Sequence, residues 1–263
     1  MFDALEESLQ REILEGPRRG VVRLPDLRLI ERPGWFQLVT PSFRQGGFNE
    51  VICSSLPISE ADSIIDTAVS EYRQLGIKFR WAVYPNAEPA DLGERLERRG
   101  LVKSPSRAMF TGTRHPDVPF EAETFAYDEG TTVEEVGPRT IEAFTRVMAT
   151  GWNVEEGPLQ HLHRTLLSNP DRTHRLFLAR HHGRAAGAAS YIASPLSAVL
   201  LGAIVLPPFR RRGLYRALIA ARLHDARTRN ITFATTYARE ETSAPILERL
   251  GFHTAFRYAT YYG

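Results

Sequence analysis

The sequence predicts an α/β fold in which helices flank mixed, mostly antiparallel sheets, and it predicts that the chain has two similar halves. Short apolar runs typical of strands alternate with segments in which apolar residues recur every three or four positions, as on one face of a helix. Hydrophobic residues make up 43% of the 263 positions, which is enough to bury one large core or two small ones. We therefore expect a folded globular protein.

The predicted elements follow this alternation along the chain. Ala61, Ile65 and Tyr72 mark one face of a helix, Gly100 supplies the left-handed residue that ends the next helix, and a turn at residues 181–184 separates two strands. The predicted helices cover residues 1–14, 59–75, 89–99, 138–150, 159–167, 214–228 and 243–250. The predicted strands cover residues 21–29, 35–39, 48–53, 78–84, 123–126, 175–179, 185–192, 198–206, 231–237 and 252–262.

The two halves repeat the same order of elements. A helix ends just before Ile77 in the first half and just before Ile231 in the second, a strand follows each, and the next helix closes at Gly100 and at Gly251. Helix endings of this kind are common, so coincidence is the alternative to a diverged tandem repeat. Residues 105–121 are rich in Pro and Gly and predict a domain junction, so we divide the chain into residues 1–118 and 119–263.

Charge and cysteine content limit the partners and the compartment. The 33 Lys and Arg residues nearly balance the 31 Asp and Glu residues, which argues against nucleic acid and membrane surfaces as partners. The single cysteine, Cys53, excludes an intramolecular disulfide and suits a reducing compartment. The start of the chain lacks the pattern of a signal peptide, and no apolar run reaches the roughly 18 residues that span a bilayer. We expect a cytoplasmic monomer or homodimer.

The most informative stretch joins a strand to a helix through a basic turn. Its basic and flanking residues are Arg210, Arg211, Arg212, Gly213, Leu214 and Arg216. The first turn of a helix leaves N–H groups without intrahelical partners, and the helix dipole adds a partial positive charge there. Since Gly213 has no side chain to hold an anion away from the backbone, the turn predicts a pyrophosphate site. The alternative is a solvated basic helix start.

At this turn the sequence resembles the GNAT superfamily of N-acetyltransferases. The family's signature for the pyrophosphate of acyl-CoA, Arg/Gln-x-x-Gly-x-Gly/Ala, reads Arg210-x-x-Gly213-x-Tyr215 here. The apolar residue and Pro that precede the signature match residues 205–207, and the closing helix and Gly-Phe pair match residues 246–252. The resemblance covers roughly residues 120–263. It implies two tandem GNAT-like domains, of which the first is degenerate and the second binds acyl-CoA.

The resemblance also implies a reaction, the transfer of an acetyl group from acetyl-CoA to a primary amine by direct attack. The acceptor would be a small molecule or a peptide. In the family the pantetheine arm pairs with the strand before the turn, here at Ile204 and Val205, and N–H groups of the same region polarise the thioester. We expect no metal, since the paired histidines at 161–163 and 181–182 lack other ligands at suitable spacing.

Two positions depart from the family pattern. Tyr215 stands where a second small residue is usual, and Leu247 stands where many members carry the Tyr that protonates the departing thiolate. The candidate replacements are Tyr237, Glu240 and Ser243, which follow or end the strand beside the turn. Each has a structural alternative, a core or rim position for Tyr237 and a solvated helix start for the other two.

The first half lacks an equivalent of the basic turn. Residues 54–59 contain neither a basic residue nor a glycine, so we expect the first half to be catalytically silent. Two other functions stay open for the whole chain. One is a module that senses CoA without catalysis, and the other is an acyltransferase whose donor is carried by a tRNA or a carrier protein, although the near-neutral charge argues against tRNA.

Overall fold

The computed structural model describes residues 5–113 and 129–263, and it has the expected α/β architecture. The helices are α1 (Glu7–Arg19), α2 (Ala61–Gln74), α3 (Leu92–Arg98), α4 (Ile141–Trp152), α5 (Glu156–Ser168), α6 (Leu214–Thr228) and α7 (Ala244–Glu248). The strands are β1 (Arg28–Arg32), β2 (Trp35–Val39), β3 (Glu50–Ser54), β4 (Arg80–Val83), β5 (Val102–Gly112), β6 (Thr131–Glu135), β7 (His174–His181), β8 (Arg184–Ala193), β9 (Ser197–Val205), β10 (Phe233–Arg239) and β11 (His253–Tyr262). None of the helices in these two ranges is long and apolar enough to cross a membrane.

Several elements differ from the sequence prediction. The predicted turn-rich junction begins inside β5. Pro105 has no backbone N–H, but its carbonyl accepts the N–H of Glu240 at 3.1 Å, so it can lie in the strand. Strand β6 was not predicted, and α1 continues through Pro17 to Arg19. The sequence of β6 gives little indication of a strand, and antiparallel pairing with β7 stabilises the segment as one. The predicted strand at 123–126 and the predicted boundary between residues 118 and 119 lie outside the described residues.

The chain groups into two compact units. The larger unit contains residues 1–22, 108–237 and 245–255, and the smaller unit contains residues 23–107, 238–244 and 256–263. Helix α1 therefore groups with the second half of the chain, and most of β11 groups with the first half. A boundary near residue 118 stays a prediction, but the compact units are not two consecutive segments.

The smaller unit contains a mixed sheet in the order β1, β2, β3, β4 and β11. Neighbouring strands are antiparallel except for β3 and β4, which pair in parallel and are joined by α2. Its core contains Trp81, whose ring meets Trp35 edge-on at 5.2 Å, and Tyr72, whose ring stacks on Phe79 at 4.3 Å. Burial of each such aromatic side chain stabilises the fold by about 1.5–3 kcal/mol, because its apolar surface is removed from water.

The larger unit contains a mixed sheet in the order β5, β10, β9, β8, β7 and β6. Strands β6 to β9 are antiparallel neighbours, and β9 pairs in parallel with β10 through the crossover helix α6. Helices α4 and α6 pack against β7, β8 and β9, and α1 packs against β9. Each unit therefore has one strand–helix–strand crossover, β3–α2–β4 in the smaller and β9–α6–β10 in the larger.

The helix endings that suggested a repeat have the same geometry in both halves. Gly100 has φ +81° and Gly251 has φ +79°. The N–H of Leu101 donates to the carbonyl of Leu96 at 3.2 Å, and the N–H of Phe252 donates to the carbonyl of Leu247 at 3.0 Å. The likeness of the halves thus extends from residue pattern to backbone hydrogen bonding.

Candidate functional site

Strand β9 diverges from β10 in the larger unit. Their parallel ladder runs from Ser197 and Phe233 to Leu200 and Thr236, and among the described residues no pair follows. On the other side, β9 has one extra residue against β8, since Leu201 faces Ser190 while Ile204 faces Ala188. Gly202 lies in this bulge with φ +51°, a conformation that glycine adopts without strain. The last residues of β9, including Ile204 and Val205, are therefore free of the β10 ladder.

The basic turn connects this diverging strand to α6. Residues Pro207–Phe209 form a short 3₁₀ helix, and the Nε of Arg210 donates to the carbonyl of Val205 at 3.2 Å, which ties the turn to the strand. Gly213 is the N-cap of α6 and has a left-handed conformation with φ +76°, which glycine adopts without strain. Arg211 is also left-handed, with φ +65°.

The start of α6 is electropositive. Its first turn contains no acidic residue, and no side chain caps it. The side chains of Arg210, Arg211, Arg212 and Arg216 are exposed around it. Backbone N–H groups at a helix start, together with guanidinium groups, bind phosphate groups well, because they combine the helix dipole with charged donors. We call residues 210–216 the anion cradle.

Two residues of the cradle, Leu214 and Tyr215, have side chains that are wholly or partly buried. Leu214 is only 1% exposed and anchors the start of α6 in the core. Burial raises the pKa of Tyr215, and the nearby Arg222 guanidinium opposes this rise. The Tyr215 side chain is thus half-buried rather than fully exposed at the start of α6.

Arg222 on α6 was not expected to matter, because nothing in the local sequence distinguishes it from a solvated helix residue. It is 1% exposed, its Nε donates to the carbonyl of Leu218 at 3.0 Å, and one terminal nitrogen donates to the carbonyls of Ser190 and Leu201 at 3.1 and 3.4 Å. Burial lowers its pKa to about 10, so the group stays charged at neutral pH. The side chain thus links the helix that carries the cradle to the residue before the β9 bulge.

A second, partly buried group links α6 to the sheet about one turn after Arg222. The carboxylate of Asp225 accepts hydrogen bonds from the Tyr191 hydroxyl at 2.5 Å and from the Arg229 Nε at 3.1 Å. Burial would raise the pKa of Asp225, but these hydrogen bonds outweigh it and lower the pKa. Since Tyr191 belongs to β8, Asp225 provides a second attachment of α6 to the sheet, about one turn after Arg222.

The hydroxyl of Tyr237, the first candidate proton donor, donates a hydrogen bond to the carbonyl of Ile13 in α1. In a regular helix that carbonyl would accept the N–H of the residue four positions later, which here is Pro17 and has no N–H. Tyr237 therefore satisfies a carbonyl that the proline leaves open. Its position supports a structural role.

We expect Tyr237→Phe to destabilise the protein by about 1–2 kcal/mol, because it leaves a buried carbonyl without a donor. In a Pro17→Ala background, residue 17 regains its N–H and can donate to Ile13, so the same replacement should cost much less. Urea unfolding of the wild type, both single variants and the double variant measures this coupling. Equal costs in the two backgrounds would contradict the assignment.

The other two candidates lie in the smaller unit. Both carboxylate oxygens of Glu240 pair with the guanidinium of Arg107, one of them with Nε at 2.7 Å, and this pairing lowers the pKa of Glu240. A carboxylate stabilised in this way is a poor base. The Ser243 hydroxyl accepts the N–H of Arg239 at 3.0 Å, as residues that shape turns do.

Leu247 also has a structural position. It is 1% exposed, and its carbonyl accepts the N–H groups of Leu250 and Phe252 at 2.9 and 3.0 Å. A side chain at this position packs into the core of the larger unit, so a tyrosine here would have to displace buried neighbours, which typically costs about 1–3 kcal/mol.

The equivalent turn in the first half is closed by the chain itself. The N–H of Leu56 donates to the carbonyl of Glu88 at 2.9 Å, and the N–H of Glu88 donates to the carbonyl of Ser54 at 3.2 Å. The Ser55 hydroxyl donates to the carboxylate of Glu88 at 2.9 Å, which places a negative charge there. Where β9 and β10 diverge, the corresponding segments of the smaller unit stay bonded.

The histidines considered for metal binding have separate surroundings. His163 is buried beside Thr145, whose Oγ1 lies 2.8 Å from its Nδ1, and burial lowers its pKa to about 4. His181 contacts His182 and Phe209 through its ring. Within the described ranges, no three His, Cys, Asp or Glu residues are grouped as a metal site would require, and the expectation of no metal stays a prediction.

Comparisons with known proteins agree with the fold. Residues 139–252 match the Acetyltransferase (GNAT) family. A GCN5-related N-acetyltransferase from Kribbella flavida is 16% identical, with a TM-score of 0.66 over 96% of this chain and 94% of that chain. A GCN5-related N-acetyltransferase from Sphaerobacter thermophilus is 16% identical, with a TM-score of 0.62 over 99% of this chain and 86% of that one.

A tandem GNAT protein from the clavulanic acid biosynthesis pathway is 12% identical, with a TM-score of 0.56 over 96% of this chain and 92% of that one. No curated protein matches this chain. Identities this low establish similarity of fold, and the matches extend over both halves of the chain.

Proposed function

Since residues 139–252 match the Acetyltransferase (GNAT) family, we propose that this chain transfers an acetyl group from acetyl-CoA to a primary amine. The observation that carries the proposal is the anion cradle, in which Gly213 with φ +76° begins α6 among exposed arginines. The pyrophosphate of CoA would accept hydrogen bonds from the N–H groups of residues 214–216, and the guanidinium groups would balance its charge.

The diverging end of β9 supports the second part of the proposal. Its backbone beyond Leu200 is not used by the ladder with β10, so the amide groups of a pantetheine arm can pair with it as an added strand would. Ile204 and Val205 lie in this stretch. N–H groups at the bulge would stabilise the oxyanion that forms when the amine attacks the thioester.

We propose direct attack without a dedicated side-chain acid. The Tyr237 hydroxyl and the Glu240 carboxylate already have partners, and Leu247 has no proton to give. A thiol has a pKa of about 8.5, so a thiolate leaves without full protonation. Holding amine and thioester together lowers the barrier further, by about 7–11 kcal/mol in well-oriented systems.

The first half, in this proposal, is a degenerate GNAT-like domain that supports its sister without binding the donor. The bonded Ser54, Leu56 and Glu88 backbone leaves no opening for phosphates, and the Glu88 carboxylate would repel them. The domain division at residues 118 and 119 and a cytoplasmic location belong to the same proposal. The single cysteine supports the latter.

A module that senses CoA without catalysis is the second candidate. It is favoured by the fact that Tyr237, Glu240 and Ser243 all have structural partners. Acetyl-CoA titration followed by assays of thiol release with amines distinguishes the two. Binding of acetyl-CoA without release of the CoA thiol in the presence of any amine supports the sensor. Lack of acetyl-CoA binding overturns both functions.

Arg211→Gly tests the cradle directly. The change removes one guanidinium group and also relaxes a left-handed backbone, so we expect unchanged or slightly higher stability and about a tenfold loss of acetyl-CoA affinity. Calorimetric titration measures the affinity, and thermal unfolding measures the stability. Arg146→Ala, which removes an exposed arginine from α4, is the control and should change neither quantity. Undiminished affinity in Arg211→Gly would show that Arg211 makes no contact with the donor.

A further inference from the structure

Helix α1 lies against the place where β9 and β10 diverge. The ladder between these strands ends at Leu200 and Thr236, so Leu201 and Tyr237 are the first residues beyond it. We call the opening that begins there the strand cleft. The proposed donor would add to β9 in this cleft, so the separation of its two strands decides how much room lies beside the thioester.

The contact of α1 with β9 depends on two glycines. A Cβ atom built on Gly16 would lie 3.0 Å from a methyl carbon of Val199. One built on Gly20, the C-cap residue of α1, would lie 2.5 Å from Ile192 in β8 and 3.5 Å from Leu201 in β9. Val199 and Leu201 are two positions apart and therefore point to the same face of the sheet. The two glycines thus let α1 approach that face closely.

The contact of α1 with β10 is a hydrogen bond. The Tyr237 hydroxyl donates to the carbonyl of Ile13, which Pro17 leaves without a donor in the helix. Ile13, Gly16 and Gly20 are three and seven positions apart, so they lie on one face of α1. The same face of the helix therefore contacts both strands at the start of the strand cleft.

A buried carboxylate fixes the position of α1 along β9. Glu12 is 5% exposed, and it accepts hydrogen bonds from the hydroxyls of Ser194 and Ser197 at 2.8 and 2.5 Å and from the guanidinium of Arg19. Burial would raise the pKa of Glu12, but these hydrogen bonds outweigh it and lower the pKa, so the group stays charged at neutral pH. Since Ser197 begins β9, α1 cannot slide along the strand without breaking a charged hydrogen bond.

We propose that α1 is a positioning element for the acetyl transfer, because it holds β9 and β10 at a fixed separation where the strand cleft begins. The inference rests on the proposed transfer. Tyr237 is a positioning residue in this arrangement, since it acts through α1 rather than on the reacting atoms. The domain that binds the donor is then completed by a helix that lies more than a hundred positions before residue 139.

A change in the strand separation should affect catalysis more than donor binding. The anion cradle and β9 would bind acetyl-CoA, whereas β10 forms the opposite wall of the strand cleft, next to which the amine would reach the thioester. Displacing reacting groups by about 1 Å can lower a rate about a hundredfold. Loosening β10 should therefore lower kcat while leaving the affinity for acetyl-CoA nearly unchanged.

A double variant separates positioning from stability. In Pro17→Ala/Tyr237→Phe, the N–H of residue 17 can satisfy the Ile13 carbonyl within the helix, so the link to β10 is lost without leaving that carbonyl unpaired. We expect a free energy of unfolding close to that of the wild type, an acetyl-CoA affinity within about a factor of three, and a kcat at least about tenfold lower. Urea unfolding, calorimetric titration and release of the CoA thiol measure the three quantities.

Two single variants are the controls. Pro17→Ala keeps the Tyr237 hydroxyl, and a carbonyl oxygen can accept two hydrogen bonds, so kcat should stay within about a factor of two of the wild type. Tyr262→Phe removes the hydroxyl of an exposed tyrosine at the end of β11 and should change none of the three quantities.

Gly16→Ala perturbs the contact with β9. The added methyl group would press on Val199, while alanine favours a helix more than glycine does, so the protein should remain folded. We expect kcat to fall about two- to tenfold. Gly157→Ala in α5 is the matched control and should keep the wild-type kcat, because a Cβ atom there meets no atom of the described residues within 4 Å.

Three results would overturn the inference. One is a wild-type kcat in the double variant. Another is a fall in kcat that the loss of stability explains, which would limit the link to a structural role. The third is an equal loss of acetyl-CoA affinity and kcat, which would assign α1 to donor binding.

Failure of the proposed function has a separate signature, since acetyl-CoA then does not bind the wild type or no amine releases CoA. Amide hydrogen exchange tests the role of α1 in that case as well. In the double variant, the amide groups of residues 234–237 should exchange several-fold faster than in the wild type and in Tyr262→Phe, because β10 loses its link to α1. Unchanged exchange contradicts the positioning role whether or not the chain transfers acetyl groups.

Discussion

Gly213→Asp should lower the affinity for acetyl-CoA at least about a hundredfold, which corresponds to about 2.7 kcal/mol. The added carboxylate would stand at the first turn of α6, where the phosphates are expected, and two unit charges 4 Å apart near a protein surface interact by about 4 kcal/mol. Calorimetric titration with acetyl-CoA and with CoA measures the loss. An affinity within a factor of three of the wild type would contradict the assignment of the cradle.

Gly213→Asn is the matched control for the backbone effect. Gly213 has φ +76°, so any side chain there costs stability, by about 1–2 kcal/mol for most residues and less for Asn and Asp. The two variants have nearly the same size and the same tolerance of this conformation, and they differ in charge. Similar unfolding temperatures with a much lower affinity in Gly213→Asp would assign the loss to electrostatic repulsion.

Arg222→Ala should destabilise the protein by about 2–4 kcal/mol, a cost similar to that of other large-to-small changes in a core. The variant leaves a cavity between α6 and the sheet and removes the donors of three carbonyls. Arg222→Met keeps most of the volume and also removes a buried charge that has no acidic partner among the described residues, so its cost should be about 1 kcal/mol. Chemical unfolding measures both.

Activity measurements on the same variants distinguish a role of Arg222 in packing from a role in positioning the β9 bulge. If Arg222 holds the β9 bulge in place, Arg222→Met should remain folded while its kcat with acetyl-CoA falls more than its affinity for CoA, because the cradle residues are unchanged. His224→Ala, on the exposed side of α6, is the control for both measurements and should behave as the wild type. A fully active Arg222→Met variant would limit Arg222 to a role in packing.

The sequence leaves open the surroundings of positions that depend on contacts distant along the chain. Leu247 stands at the position of a proton donor in the family pattern, yet it is 1% exposed. Tyr237 was a candidate acid, but its hydroxyl serves a carbonyl that Pro17 leaves open more than two hundred positions earlier. Neither environment is readable from the sequence, because a residue's type does not reveal which partner folding brings to it.

The units show the same limit at a larger scale. The predicted junction begins at Pro105, but residues 102–112 form β5, whose end belongs with the larger unit beside β10. The end of β11 belongs with the smaller unit, where Ala259 faces Val83 of β4. Pairing between distant strands outweighs the local turn preference. The sequence therefore does not reveal that the end of β5 belongs with the larger unit and the end of β11 with the smaller one.

The alternation of helices and strands, the helix endings at Gly100 and Gly251 and the basic turn at the start of α6 are all readable from the amino-acid order, because each depends on interactions within a few consecutive residues. A glycine before a helix and arginines around it act through backbone conformation and local charge wherever the fold places them. The buried position of Arg222, the contact between Gly16 and Val199 and the hydrogen bond from Tyr237 to Ile13 exist only in the folded chain. Burial and partnership depend on which distant segments exclude water from a side chain, and only the tertiary structure decides that.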